Sequence, residues 1–340
     1  MKKVAVVILN WNGKKLLEQF MPSVIKNTNT ELADVVIADN ASSDESISFL
    51  ESNYPEISII QLDKNYGFAE GYNKALKQLS NKYYVLLNSD VEVSENWLEP
   101  LFELMESDKK IAAIQPKIKS LQQKDHFEHA GAAGGFIDYL GYPFCRGRLL
   151  DKIEEDKGQY DTIREIFWAS GAALFVRAEQ YHAAGGLDKD FFAHMEEIDL
   201  CWRLKNRGFR ILCNPESTVY HLGGGTLSNH SSRKLYLNFR NNLLMMYKNL
   251  PKGKALKILF IRMILDGLAA IKFLLELKIS SFFAVIKAHI SFYGKFKIFR
   301  KKRTQLLPSI KQANHREIYN KSIIVRYFLK KQKYFSELNF

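Results

Sequence analysis

Four short runs of apolar, β-favouring residues recur through the first ninety positions, at 4–9, 33–38, 57–62 and 83–87, and each leads into polar residues. Near-continuous hydrophobicity over so few residues suits strands of a parallel sheet covered on both faces. Helical spacing occupies the gaps at 14–26, 44–51 and 69–79, and the cluster Ser42-Ser43-Asp44-Glu45-Ser46 offers N-cap candidates for the second of these. Strand and helix alternating in this way predict an α/β fold with a doubly wound, mostly parallel sheet. The first run is no secretory leader, because its six apolar residues pass straight into Asn10, too short for an h-region.

Ligands of such sheets bind at the carboxyl ends of the strands. The four runs end there in Asn10-Trp11-Asn12-Gly13, Asp39-Asn40, Asp63-Lys64-Asn65-Tyr66-Gly67 and Asn88-Ser89-Asp90. Turn chemistry explains any one of these. An acid or amide at every strand end points further, to a polar ligand on that rim. Asp39 suits either capping of the next helix or a hydrogen bond to a base or ribose. Asp90 suits either a turn or a divalent cation that neutralises a diphosphate, since hard cations take oxygen ligands.

Residues 120–165 lack periodicity and carry Gly131, Gly134, Gly135, Gly141 and Gly147, which predicts an irregular insertion. Order resumes over 167–225, with strands expected at 172–176, 210–213 and 218–221 and a helix at 197–206. Glu196, Glu197 and Asp199 fall at the start of that helix, where its dipole favours negative charge. One or two acids need no other reason; three, just after Phe191-Phe192 and Gly185-Gly186, suit a general base held at a cleft. His221 suits either a structural role or metal ligation. The glycines at 223–225 allow close backbone approach to a ligand or a moving lid.

Charge divides the chain near residue 250. Positions 1–250 hold 29 Lys and Arg against 33 Asp and Glu, whereas 251–340 hold 20 against 4. The first part is therefore slightly acidic and the second strongly basic, which implies an acidic partner for the second part alone. From Lys254 onward apolar residues recur every three or four positions, but charges interrupt every apolar run, and the longest uncharged stretch, 279–286, has eight residues. A spanning helix needs about 20 mostly apolar residues. The pattern predicts a helical region that lies on an anionic membrane surface through 254–303, with Lys295, Lys297 and residues 300–303 supplying positive charge. A nucleic-acid partner is disfavoured because base readers interleave aromatics with Lys and Arg on the ordered domain. Cys145, Cys201 and Cys213 show no CxxC spacing and read as reduced thiols.

The order of motifs resembles the inverting family 2 glycosyltransferases, and their bacterial rhamnosyltransferase-like branch in particular. The matching segments are VAVVILNWNG at 4–13, DNASSD at 39–44, NYGFAEGYN at 65–73, LLNSDVEV at 86–93, FWASGAALFVR at 167–177, GGLDKDFFAHMEEIDLCWRLKNRGFR at 185–210 and VYHLGGGT at 219–226. The resemblance implies a GT-A fold in residues 1–250, followed by the helical region 251–340. It also implies a nucleoside-diphosphate sugar donor (UDP- or dTDP-linked) and Mn or Mg, while a tail resting on the inner face of a membrane suggests a glycan or lipid-linked acceptor there. Carried over by position, Asn10, Asn12, Asp39, Asn65, Asn73, Asn88 and Ser89 would line the nucleotide-sugar site. Asp90 and His221 would hold the metal, and Trp168 and Gly171 would face the acceptor. The catalytic base would come from Glu197 or Glu196, of which Glu197 is favoured, with Asp199 beside them. Two departures stand out: Asn88 occupies a metal-motif position that is usually Asp, and Glu197 is one methylene longer than the usual base. A nucleotidyltransferase shares strand-end acids and nucleotide binding, and it is the competing enzyme class.

Overall fold

The computed structural model describes residues 2–223, 231–251 and 253–340. Its centre is β1 (Val4–Asn10), hydrogen-bonded in parallel to β2 (Ala33–Asp39) on one side and β4 (Tyr83–Leu87) on the other, with β3 (Ser58–Gln61) parallel beyond β2. The alternation of side chains along a strand explains the unbroken hydrophobicity. Ala5 and Val7 enter one core, and Val4, Val6 and Ile8 enter a second core on the opposite face. The helices α1 (Lys14–Asn27), α2 (Ser46–Asn53) and α3 (Gly67–Leu76) return the chain between these strands. Asp44 accepts the Lys14 N–H at 3.1 Å and the Ser46 N–H at 3.1 Å, so one expected cap residue serves the first turns of two helices.

The sheet then departs from parallel order. Short β5 (Val91–Val93) and α4 (Glu99–Ser107) lead to β6 (Ile111–Ser120), while β12 (Ala173–Arg177) lies antiparallel between β4 and β6. β13 (Arg210–His221) runs parallel to β6, and β11 (Arg164–Glu165) and β5 are antiparallel to β13. The resulting order is β11-β13-β6-β12-β4-β1-β2-β3. The two strands expected at 210–213 and 218–221 are one strand with a register shift between Asn214 and Thr218. The helices of this half are α5 (Ala178–Ala183) and α6 (Glu196–Asn206).

The segment expected to be irregular builds a second, small sheet. β7 (Gly135–Asp138), β8 (Pro143–Cys145), β9 (Arg148–Leu149) and β10 (Lys152–Ile153) are successive antiparallel neighbours. Their brevity and the intervening glycines hid the alternation. α7 (Ser232–Asn249), α8 (Ala255–Leu275) and α9 (Ile279–Leu306) pack together, with α7 against α6. Then β14 (Ile318–Tyr319) pairs in parallel with β7, and α10 (Ile323–Phe328) follows. The charge boundary near residue 250 falls in the turn between α7 and α8, yet the core crosses it: Tyr319, Ile323, Phe335 and Leu338 belong to the same cluster as Phe136 and Phe144. All three cysteines are buried and free. Among the described residues, no helix is long and apolar enough to cross a membrane.

Candidate active site

The carboxyl ends of β1 and β2 meet at one polar knot. The Asn10 amide donates to Asp39 Oδ1 at 3.0 Å and to Ser42 Oγ at 3.1 Å, and Asp39 accepts the Ser42 N–H at 2.9 Å. Asn12 turns into the left-handed region, φ 49°, and its Oδ1 accepts the N–H groups of Ser43 and Asp44 at 2.7 and 3.3 Å. Gly13 is needed beside this knot, because a Cβ there would stand 2.4 Å from Asn10 Oδ1. Next along the rim, buried Asn40 donates to Asn65 Oδ1 and to the Gly67 carbonyl, each at 3.1 Å, and accepts the Tyr66 N–H at 2.9 Å. Asn40 thus joins the ends of β2 and β3. It was not among the expected site residues, although it follows Asp39 directly.

At the end of β4 the Asn88 N–H donates to the Ala172 carbonyl at 2.9 Å, which sets Asn88-Ser89-Asp90 beside Gly171. Both Asn88 and Ser89 are half-buried. Asp90 Oδ1 lies 3.1 Å from His221 Nε2, and Glu128 Oε2 lies 3.4 Å from His221 Nδ1. Burial opposes charge on this imidazole, but hydrogen bonding to Asp90 and Glu128 outweighs it and raises the pKa to about 10. Glu128 was hidden from sequence reasoning because it sits in the supposed irregular insertion. Of the glycines expected to form a lid, only Gly223 is described; Gly224, Gly225 and Thr226 lie outside the described residues.

Opposite this pair, α6 presents the acids. Glu197 is half-buried, and Gly171 separates its Cβ from the Phe68 ring. Its Oε2 is shielded from solvent and has no hydrogen-bond partner among the described residues. Burial pushes the Glu197 carboxyl up to about 7. Glu196 is more deeply buried, and burial together with the neighbouring Glu197 holds its carboxyl well above the ordinary range.

Three expected placements change. Asp199 has no exposed surface and accepts from Arg203 at 2.8 Å, Lys248 at 2.8 Å and Asn249 at 2.8 Å. A carboxylate with no exposed surface, already neutralised by two cations, is out of a substrate's reach, so its expected place among the catalytic acids becomes a buried ionic one. Trp168 is 4% exposed, lies against Gly135 and donates its indole N–H to the Phe136 carbonyl at 2.9 Å, inside the core and away from any acceptor path. Asn73 donates to the Leu187 carbonyl at 2.7 Å and accepts from Tyr181 and the Leu187 N–H, so its amide braces the Gly185–Leu187 turn and does not face the donor rim. Gly171 alone of the acceptor-side pair stays at the site.

Residues 5–168 match the model of glycosyl transferase family 2. The chain is 24% identical over 222 residues to the O-antigen biosynthesis protein RfbC of Myxococcus xanthus, a match covering 64% of this chain and 17% of that longer protein. It is 23% identical over 231 residues to the N-acetylglucosaminyl-diphospho-decaprenol L-rhamnosyltransferase of Mycobacterium tuberculosis, covering 64% of this chain and 75% of that one. Its fold is similar to that of GalNAc-T7 crystallised with UDP, GalNAc and Mn2+, with a TM-score of 0.56 and 17% identity over 73% of this chain and 48% of the other. The strand-end amides and acids of β1 to β4 fall within the span, residues 5–168, that matches glycosyl transferase family 2.

Proposed function

We propose that this glycosyltransferase moves a hexosyl unit, of the 6-deoxyhexose class, from a nucleoside-diphosphate sugar onto a hydroxyl of a lipid-linked glycan, with inversion at the anomeric carbon. The observation that carries the reading is Glu197. An unpartnered, shielded carboxylate oxygen with a pKa near 7 is tuned to accept a proton at working pH, and it borders the rim that holds Asp39 and Asp90. The acceptor oxygen forms a bond to the anomeric carbon as the bond from that carbon to the diphosphate breaks. Glu197 takes the hydroxyl proton, and the nucleoside diphosphate leaves. Glu196, deeper in the protein, is held protonated by burial and by the neighbouring Glu197. The knot of Asn10, Asn12 and Asp39, extended by Asn65, suits a nucleoside; Asn88 and Ser89 lie toward the diphosphate. The sugar class and acceptor follow the named activity of the mycobacterial relative.

Asp90 and His221 fit a divalent cation. Asp90 Oδ1 and His221 Nε2 converge to 3.1 Å at the strand ends, and this oxygen and nitrogen would hold such an ion. Glu128 on the other imidazole nitrogen suits the carboxylate that orients a ligating histidine. Such an ion would neutralise charge on the leaving diphosphate.

The decisive experiment is Glu197→Gln. Transfer should fall at least ~1,000-fold while nucleotide affinity changes less than twofold; full activity would remove Glu197 as the base. Release of nucleoside diphosphate, and not pyrophosphate, separates transfer from the nucleotidyltransferase reading.

We also place the protein on the cytoplasmic face of a membrane, through α8 and α9. α8 buries Arg262 and Asp266, keeps Lys257 and Lys272 exposed, and presents a stripe of apolar residues outward. Arg262 and Asp266 are 2% and 0% exposed, whereas Leu256, Phe260 and Leu268 are 71%, 67% and 58% exposed on one stripe. Ile279, Phe283, Ile286 and Ile290 make a similar stripe on α9. The charge beside them is less than the composition suggests. Lys295 and Lys302 pair with Asp190, Lys302 also pairs with Asp188, and Arg303 donates to the Tyr247 carbonyl, which leaves Lys297, Arg300 and Lys301 facing outward.

A further inference from the structure

The loop that leads into Glu197 runs against ordinary backbone preference. Phe192, His194 and Met195 have φ of 69°, 69° and 74°, three left-handed residues in four, none of them glycine. Such a course persists only where surrounding contacts over-determine it, and its inward carbonyls must be paired. α7 supplies both. Asn241, with no exposed surface, directs one amide nitrogen at three carbonyls: Phe191 at 3.0 Å, Ala193 at 2.8 Å and His194 at 2.8 Å. Arg240, also buried, donates to the Phe191 carbonyl at 2.9 Å and, through Nε, to Asn241 Oδ1 at 2.8 Å. That last bond fixes which way the amide faces. Flipped, its oxygen would meet three carbonyl oxygens. At the other side of the loop, the Phe192 ring rests on Gly67, in the turn that Asn40 ties to β2.

We propose that Asn241 and Arg240 are positioning residues for transfer: they hold residues 191–195 in the left-handed course that sets the Glu197 carboxylate at the rim. The proposal rests on Glu197 being the base. It extends the working site to α7, beyond the span matched by the family model, and it gives the amide–guanidinium pair a role distinct from filling the core.

The test uses the full chain and three variants: Asn241→Ser, Arg240→Ala and Arg240→Lys. Turnover is followed as nucleoside diphosphate release from the best substrate among UDP-glucose, UDP-N-acetylglucosamine and dTDP-rhamnose, and nucleotide affinity by calorimetry with UDP and dTDP in Mn. Asn241→Ser and Arg240→Ala should lower kcat per folded molecule at least tenfold while nucleotide Kd changes less than twofold, and Arg240→Lys should recover at least a third of the lost kcat. A purely structural pair would lower the melting temperature and leave kcat per folded molecule unchanged, and that result overturns the proposal. Loss of nucleotide affinity in parallel with kcat overturns it as well. Should Asn241→Ser fail to fold, the two Arg240 variants decide the matter. Glu197→Gln in the same assay separates the two ideas: if it stays active, the base assignment falls. If it is inactive while the α7 variants behave normally, only the positioning role falls.

Discussion

Glu197 and Asp199 sit two positions apart on one helix and are held in opposite ways. The Glu197 carboxyl is raised from the usual 4.5 to about 7 by burial, so its ionised form opposes folding. That penalty is absent below pH 4.5, where the group is protonated folded or unfolded, grows between 4.5 and 7, and is complete above 7. Glu197→Gln should therefore melt at a higher temperature than the parent at pH 8 and at the same temperature at pH 4, measured by calorimetry. The acid limb of kcat/KM for the parent should show an apparent pKa near 7. Asp199 is enclosed by cations instead. Removing it in Asp199→Ala leaves buried Arg203 and Lys248 short of a counter-charge, with an expected loss of about 3 kcal/mol in urea unfolding. His221 makes a third prediction. A ligating imidazole must be neutral, but this one holds its proton up to about 10. Binding of Mn with nucleotide at pH 8 should expel close to one proton per site, visible as a buffer-dependent enthalpy. From the sequence these acids looked alike, because spacing places them on a helix without saying which side faces the core. Asp39 and Asp90 were easier to find, since strand ends converge whatever the side chains do.

At the scale of elements, periodicity located α1, α2, α3, α6 and α8 and the first four strands to within a few residues, and it left α4, α5 and α7 unmarked. It did not foresee the inverted arrangement of α8. A 3–4 spacing marks an apolar stripe, but this helix has a second one, where Ala255, Leu259 and Ala270 pack inward around the buried Arg262–Asp266 pair. The inner charges have partners: Arg262 lies over the Tyr142 ring and donates to the Leu140 carbonyl at 2.8 Å, and Asp266 meets His289 at 3.3 Å. With the polar groups satisfied inside, the outer leucines are free to enter lipid, each contributing roughly 1.5–3 kcal/mol if fully buried. The double variant Ile264→Glu/Leu268→Glu should lose flotation with vesicles containing anionic lipid while its melting temperature stays within 2 °C of the parent (about the scale of 1 kcal/mol). Retained flotation would exclude this face.

The whole molecule is knitted across the apparent charge boundary. Phe335 and Phe340 pack with Phe136 and Phe144, and buried Asp138 accepts the Ile323 N–H at 3.0 Å. Deleting residues 307–340 should therefore unfold the small sheet and yield insoluble protein, not a trimmed enzyme; a soluble product with parental activity would show the opposite. Composition divided the chain at residue 250 because solvent-facing lysines dominate the count, whereas the aromatic residues that decide packing are spread through both parts.

The pairing of β7 with β14 has a consequence for synthesis. Ile137 and Ile318, partners in that ladder, are about 180 residues apart, and a ribosome adding some 5–20 residues per second needs roughly 10–35 seconds to deliver the second after the first. During that interval the edge of the nascent small sheet has no partner and is open to other chains. Completion of the small sheet thus waits on late synthesis, and yield on expression should respond to chaperone supply and to lower growth temperature more than to changes at the catalytic rim.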